Sequence, residues 1–180
     1  MSKIQPPSQE VKLEAMKTIY DHNYRLIELA DNKATAILTV NGVMLTVILA
    51  FVGLKGDFFS VGNAIDIASI IILTLYLVSC LSSLIFSILT ISPFQKTGIP
   101  KPKHVYYYIN ILDHKDTDEY NVELQNALSD FSLIEKGFSD QIYSISVVNK
   151  RKYKFVKWCV WTLLSSFVIV GIFLVLTFVS

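Results

Sequence analysis

Six residues in the middle of the chain place aromatic rings beside cationic side chains. They are Lys101, Lys103, His104, Tyr106, Tyr107 and Tyr108. Aromatic faces stack on nucleobases while cations bind phosphate, so this combination could hold a nucleotide. The alternative is that these rings pack at a membrane interface or in a helical core, and the sequence alone favours that alternative.

A second group of candidate residues lies near the end of a polar N-terminal stretch. Its members are Arg25, Asp31, Lys33, Asn41 and Gly42. Asn41 falls inside an uncharged run, where an amide usually takes its partner from a neighbouring helix, and Gly42 permits close helix approach. We therefore predict a helix contact here. It would be either an oligomer or pore contact, or a hydrogen bond within one three-helix chain.

The sequence contains no recognisable catalytic or cofactor motif. It lacks Gly-x-Ser-x-Gly, Gly-x-Gly-x-x-Gly, a Walker loop and Cys-x-x-Cys. An acidic cluster lacks the spacing of a calcium loop, and a capped, solvated turn explains it better. The cluster comprises Asp113, His114, Asp116, Asp118 and Glu119. We therefore expect no enzymatic activity, no cofactor and no metal, and the net charge of +1 argues against nucleic-acid binding by charge alone.

These candidate residues lie before, on or between three apolar runs. Hydrophobic residues make up 52% of the 180 residues and charged residues only 17%. A helix needs about 20 apolar residues to cross a hydrocarbon core of about 30 Å. Residues 34–54, 67–92 and 158–179 meet that length, and burial in a large soluble core would not explain three such runs in so short a chain. We predict an all-α membrane protein with three transmembrane helices and free, buried thiols at Cys80 and Cys159.

The basic residues predict the orientation of these spans. Five Lys or Arg residues precede the first span, ten lie between the second and third spans, and the loop of residues 55–66 has only Lys55. Because cytoplasmic loops carry an excess of Lys and Arg, residues 1–33 and 93–157 should be cytoplasmic and the C-terminus outside. Trp158 and Trp161 fit an anchor at the inner interface.

The cytoplasmic stretches have helical periodicity. Residues 1–33 contain an amphipathic pattern that runs into the first span without Gly or Pro, which predicts one helix of about 45 residues. Residues 93–157 begin with a linker and an extended or strand-like segment at His104–Leu112, and Asp116, Thr117 or Asp118 can cap the helix that follows.

From Leu124 a heptad pattern continues towards the third span. Its two sets are Leu124, Phe131, Phe138, Ile145 and Ala127, Ile134, Gln141, Val148. The pattern predicts a second long helix that lies parallel to the first and forms a stalk with it. The apolar stripes would pack either against each other or against a second copy of the chain.

Several short motifs in a fixed order resemble the Pycsar effector protein family. The first half has Arg25, then Ala30-Asp31-Asn32-Lys33-Ala34, then Asn41-Gly42. The second half has the aromatic segment, an acidic turn that reaches Glu119-Tyr120, and Lys150-Arg151-Lys152-Tyr153 before the last span. The similarity extends over about residues 15–178.

The resemblance implies a bacterial antiphage effector in the inner membrane. In such a system a partner nucleotide cyclase senses infection and makes cyclic CMP or cyclic UMP. The effector then impairs the membrane, and the cell stops growing or dies. The resemblance thus implies a cyclic nucleotide ligand and a cyclase partner, and we expect a homo-oligomer in the lipid bilayer. The alternative is a membrane scaffold or adaptor that docks a partner protein through its stalk.

Overall fold

The computed structural model describes residues 7–54, 62–93, 111–112 and 114–179, and this part of the chain contains helices and no strand. The helices whose full extent is described are α1 (Gln9–Leu54), α2 (Ala64–Ile91), α3 (Thr117–Ser129) and α4 (Phe131–Val179). Three of them, α1, α2 and α4, are long and apolar enough to cross a membrane. The all-helical membrane architecture is therefore confirmed.

Helix α1 is continuous from the polar N-terminal stretch into the first apolar run. It has 46 residues, close to the predicted length. Its first turn begins after Ser8, whose hydroxyl oxygen accepts a hydrogen bond from the Val11 amide at 3.4 Å. No Pro or Gly interrupts the helix before Gly42, so the backbone hydrogen bonds continue through the junction.

Helix α2 begins at a capped turn and ends just before a proline. The backbone amides of Gly62 and Asn63 donate to Asp66 Oδ2 at 3.0 and 2.9 Å, so the first-turn carboxylate satisfies amides ahead of the helix. Beyond Ile91, Pro93 is incompatible with continued helical hydrogen bonding, and Ser92 closes the last turn by donating its amide to the Ile88 carbonyl.

The second long helix starts later than the heptad pattern predicts. The prediction of one helix from Leu124 is wrong, because Asp130 has extended backbone angles (φ −122°, ψ 117°) and separates α3 from α4. Its carboxylate accepts from the Ser132 amide at 2.8 Å, which starts α4 anew. Gly137 lies within α4 and does not end it.

The acidic turn before α3 is a helix cap, as predicted. Asp116 Oδ1 accepts from the Glu119 amide at 2.9 Å, and Glu119 Oε2 accepts from the Lys115 amide at 2.8 Å. No group of three His, Cys, Asp or Glu residues that could hold a metal occurs among the described residues.

The predicted extended segment at His104–Leu112 is wrong at its described end. Ile111 and Leu112 are helical. The Ile111 carbonyl accepts a hydrogen bond from the His114 amide at 3.4 Å. This bond spans three residues, as in a turn, whereas an extended strand makes no such local bond. Residues 104–110 lie outside the described residues.

The chain divides into two compact units. The first unit comprises Met1–Leu26 and Phe94–Asn149, and the second, which we name the membrane unit, comprises Ile27–Pro93 and Lys150–Ser180. Helices α1 and α4 contribute to both units.

In the first unit, α1 and α4 run parallel, as predicted. Lys12 Nζ lies 3.9 Å from Glu135 Oε1, and the rings of Tyr20 and Phe138 meet edge to face with centroids 6.4 Å apart. Further along both helices, Asn149 Nδ2 donates to the Asn23 carbonyl at 2.9 Å. Since partner positions advance together along both helices, α1 and α4 pack in parallel within one chain, with Tyr20 and Phe138 of the two apolar stripes in contact. A contact of these stripes with a second copy of the chain stays a prediction.

The membrane unit has its own core between α1, α2 and α4. The buried residues at its centre are Ile48, Val52, Leu73, Tyr76, Cys80 and Phe173. Cys80 and Cys159 are free and buried, as predicted. Towards the other end of these helices, polar side chains replace the apolar core.

Candidate functional site

The polar end of the membrane unit contains a buried lysine that contacts all three helices. Lys152 of α4 forms an ion pair with Asp31 of α1 through its Nζ and Asp31 Oδ1. The same Nζ donates to the carbonyl oxygen of Thr90 in the last turn of α2 at 2.7 Å. Thr90 belongs to the last turn of α2, where carbonyls lack helical donors and attract a cation. One ammonium group thus joins α1, the end of α2 and α4.

Lys152 is buried because of its register on α4. Only 7% of its surface is exposed. It lies on the same face as Val156 and Cys159, which are also buried, whereas Lys150 and Lys154, two residues away on either side, are exposed. Residues three, four and seven positions apart share a helix face, so the basic run divides into one inward lysine and several outward cations.

Asn41 is the centre of a second polar contact, about two to three helical turns deeper. It has no exposed surface, and its Nδ2 donates to Ser83 Oγ of α2 at 2.8 Å. Ser83 Oγ in turn donates to the carbonyl of Cys159 on α4 at 3.3 Å. The structure therefore places the Asn41 amide in an intramolecular hydrogen bond between helices. A contact of Asn41 with a second copy of the chain stays a prediction.

Serines extend this contact along the interface between α2 and α4. Ser166 Oγ donates to Ser79 Oγ at 3.1 Å, and Ser79 Oγ donates to the Thr162 carbonyl at 3.0 Å. Ser87 Oγ donates to Cys159 Sγ at 3.6 Å. Small hydroxyl-bearing residues permit close helix packing in a membrane and supply hydrogen bonds across the interface.

The other predicted contact residues lie on the outside of α1. Lys33 is exposed, and its Nζ lies 6.0 Å from the centroid of the Tyr153 ring. Gly42 is exposed, and a Cβ added to it would meet no atom within 4 Å. Arg25 is exposed in the first unit. Of the five residues, the structure thus brings Asp31 and Asn41 into contacts between helices of one chain. Oligomer contacts of Arg25, Lys33 and Gly42 stay predictions.

The predicted nucleotide contacts cannot be located in the fold. Lys101, Lys103, His104, Tyr106, Tyr107 and Tyr108 lie outside the described residues. The first unit does contain a polar contact that the sequence analysis missed. Ser146 Oγ donates to Asn23 Oδ1 at 3.3 Å, and Asn149 Nδ2 donates to the Asn23 carbonyl. The signal for it was Asn23, a polar residue within the apolar stripe of α1.

These polar contacts can hold helices in one register, and they suggest a conformational role. Each depends on a few donors and acceptors that must face one another, so sliding or rotating one helix would break several hydrogen bonds together. Loss of the Lys152 contacts would cost the most free energy, because a buried ammonium without partners is strongly destabilising.

The comparisons with known proteins identify the family. The sequence model of the Pycsar effector protein domain matches residues 15–179, nearly the whole chain. The chain belongs to the Pycsar effector family. Neither the search of curated proteins nor the search of solved structures found a match.

Membership in the Pycsar effector family supports a role in antiphage defence at a membrane. The three apolar helices agree with that setting. In this Pycsar effector, the matched residues include both partners of the Asp31–Lys152 pair, Asn41 and Ser83. The buried contacts that join α1, α2 and α4 are therefore part of the family domain.

Proposed function

We propose that this Pycsar effector responds to cyclic CMP or cyclic UMP by impairing the inner membrane, so that the infected cell stops growing or dies. The family match supports the effector role. The observation that supports a response to a ligand is that α1 and α4 each contribute residues to both compact units. A ligand that changes how these helices pack in the first unit acts on the same helices that form the membrane unit.

A nucleotide can drive this change only through different affinities for two packings. It shifts the equilibrium towards the packing that it binds more tightly. The resting packing is stabilised by the contacts of Lys152 with Asp31 and Thr90 and by the hydrogen bond of Asn41 to Ser83. We propose that activation breaks some of these contacts and that the apolar helices then rearrange or associate in the bilayer.

We further propose that the nucleotide binds to the aromatic and basic segment of the first unit. Its cations Lys101, Lys103 and His104 would bind the cyclic phosphate, and Tyr106–Tyr108 would stack on the base. The excess of Lys and Arg in residues 93–157 supports a cytoplasmic position, where a cytosolic messenger can reach the segment. A nucleotide cyclase is the proposed functional partner.

The decisive experiment measures membrane potential in bacteria that carry the protein with an active or an inactivated pyrimidine cyclase. We expect depolarisation, reported by a potential-sensitive dye, only with the active enzyme. Replacing Lys103 and Tyr107 by Gln and Ala should abolish it, whereas Lys136→Gln, an exposed lysine of the first unit, should not. An unchanged potential while cyclic CMP or cyclic UMP accumulates would contradict the proposal.

A second candidate function is a scaffold that docks a partner protein. Apolar side chains on the surface of the first unit favour it, because Val122 and Tyr143 are 64% and 70% exposed. A scaffold predicts a stable protein complex and no heat of binding with either nucleotide. Titration calorimetry of the purified protein with cyclic CMP and cyclic UMP therefore separates the two functions.

A further inference from the structure

One outward face of α4 carries a row of lysines. Lys150, Lys154 and Lys157 are spaced by four and three residues, so they share a face, and all three are exposed. No carboxylate in the described part of the chain pairs with any of them, and residues 150–180 contain no Asp or Glu. The three positive charges therefore have no carboxylate partner among the residues that the structure describes.

The same face becomes apolar beyond the lysines. Trp161 follows Lys157 by four residues and is 59% exposed, and the exposed Leu164, Val168 and Val175 continue the face. From Lys157 to Val168 the helix rises about 16 Å at 1.5 Å per residue, roughly half of a hydrocarbon core. One helix surface thus presents cations, then an interfacial aromatic ring, then a strip that is apolar to the middle of a bilayer.

Aromatic contacts hold a second tryptophan beside this surface. Trp158 is 50% exposed and stacks on Phe86 of α2, with ring centroids 6.3 Å apart. Phe155 also stacks on Phe86, with ring centroids 6.4 Å apart, and the Arg151 guanidinium lies 5.4 Å from the Phe155 centroid. Trp158, between the cationic and apolar parts of α4, is therefore held against α2.

We propose that this face of α4, from Lys150 to Val175, binds anionic phospholipids. Their phosphate would contact Lys150, Lys154 and Lys157, and an acyl chain would lie along the apolar strip. A soluble phosphate would match only the lysines, whereas a lipid matches the whole face, and basic clusters beside a transmembrane helix attract acidic headgroups. The surface is separate from the proposed nucleotide response, and its test involves no nucleotide.

The position of the tryptophans allows a test on the intact, unlabelled protein. Trp158 and Trp161 are the only two tryptophans of the chain, and both adjoin the lysine row. The protein is reconstituted into phosphatidylcholine vesicles that contain the same low mole fraction of brominated phosphatidylglycerol or brominated phosphatidylcholine. Bromine quenches tryptophan fluorescence on contact. We expect the anionic lipid to associate roughly fivefold more strongly, which corresponds to the effect of about one basic residue near an acidic surface.

Matched variants separate this surface from charge in general. The triple variant Lys150→Gln, Lys154→Gln, Lys157→Gln should quench equally with both lipids, and the corresponding Lys→Arg triple should keep the preference. The control triple Lys17→Gln, Lys115→Gln, Lys136→Gln removes three exposed lysines of the first unit and should also keep it. Seven of the ten basic residues in 94–157 remain in the first variant, so its orientation should be unchanged.

Four results would overturn the proposal. One is equal quenching of the wild-type protein by both lipids. A second is an unchanged preference in the Lys150, Lys154, Lys157 variant, and a third is a preference lost in the control triple. The fourth is loss of the preference when soluble glycerol phosphate is added at a concentration matched to the lipid, because that would assign the lysines to a free phosphate.

Discussion

Lys152 and Asp31 form an ion pair whose two partners differ in their access to water. The lysine side chain is 8% exposed and the aspartate side chain 32%. Water can therefore reach the carboxylate after the lysine is removed, but it cannot readily reach the ammonium after the aspartate is removed. The carbonyl of Thr90, 2.7 Å from Lys152 Nζ, would then be the one acceptor left to the lysine among the described residues.

This asymmetry predicts unequal effects of the two single substitutions. Asp31→Asn should lower the free energy of unfolding by about 3 kcal/mol, because it leaves a buried cation without its counterion. Lys152→Met should cost only about 1 kcal/mol, as for a solvated ion pair, since the remaining carboxylate can be hydrated. Thermal unfolding in detergent measures both, with Lys154→Met as an exposed control. The double variant Asp31→Leu, Lys152→Met should recover most of the loss, and equal losses for the two single variants would contradict the assignment.

Asn41 and Gly42 are adjacent in sequence but should respond differently to the same replacement. Asn41→Leu removes the hydrogen bond to Ser83 and should lower stability by about 1 kcal/mol. In Gly42→Leu, the new side chain would start in open space, because a Cβ at this position meets no atom within 4 Å. Thermal stability should therefore be unchanged or slightly higher, since Leu favours a helix more than Gly. Chemical crosslinking in membranes adds the second measurement. If Gly42 is an oligomer contact, Gly42→Leu alone should reduce the crosslinked product, and reduction by Asn41→Leu without loss of stability would assign that role to Asn41.

In the first unit, Asn149 is expected to stabilise the pairing of α1 with α4. Asn149→Ala removes the hydrogen bond to the Asn23 carbonyl in a buried position and should cost about 1–2 kcal/mol. Hydrogen exchange should accelerate in the part of α1 around Asn23. Asn126→Ala, at an exposed position of α3, is the matched control and should leave exchange there unchanged. Equal exchange in both variants would mean that the contact contributes little.

The orientation of the spans is a further prediction, and reporter fusions check it. Alkaline phosphatase fused after Val179 should be active, because it folds only outside the cytoplasm and the C-terminus is predicted to be outside. The same enzyme fused after Asp130 should be inactive, and green fluorescent protein at that position should fluoresce. The reverse pattern would place residues 93–157 outside and would exclude direct binding of a cytosolic messenger to that region.

The sequence was sufficient to predict the spans but not every helix boundary. A charge-free helical run of about 20 residues matches the thickness of the hydrocarbon core, so three spans could be predicted from composition and length. The break at Asp130 was missed because Leu124 and Phe131 keep a spacing of seven residues across it. Periodicity describes which side chains share a face, and it does not test whether the backbone between them stays helical. Asp130 itself, a favoured residue type at helix starts, was the available signal.

The buried lysine shows what the sequence contained and what it lacked. Lys152 was counted among the cations that orient the third span. Continuing the heptad of Phe138 and Ile145 by seven residues reaches Lys152, and the same step then reaches Cys159, Ser166 and Phe173, which are all buried. The pattern therefore indicated an inward lysine. The pattern could not identify Asp31 and Thr90 as the partners of Lys152. Which helices meet depends on tertiary packing, which the periodicity of a single helix does not specify.

The burial of both thiols makes the natural protein convenient for chemical labelling. Cys80 and Cys159, the two cysteines of the chain, are 1% and 0% exposed. Hydrophilic maleimides therefore meet no reactive sulfur on the folded protein. A single cysteine introduced at an exposed position would carry the whole signal in living cells, with both native residues left in place.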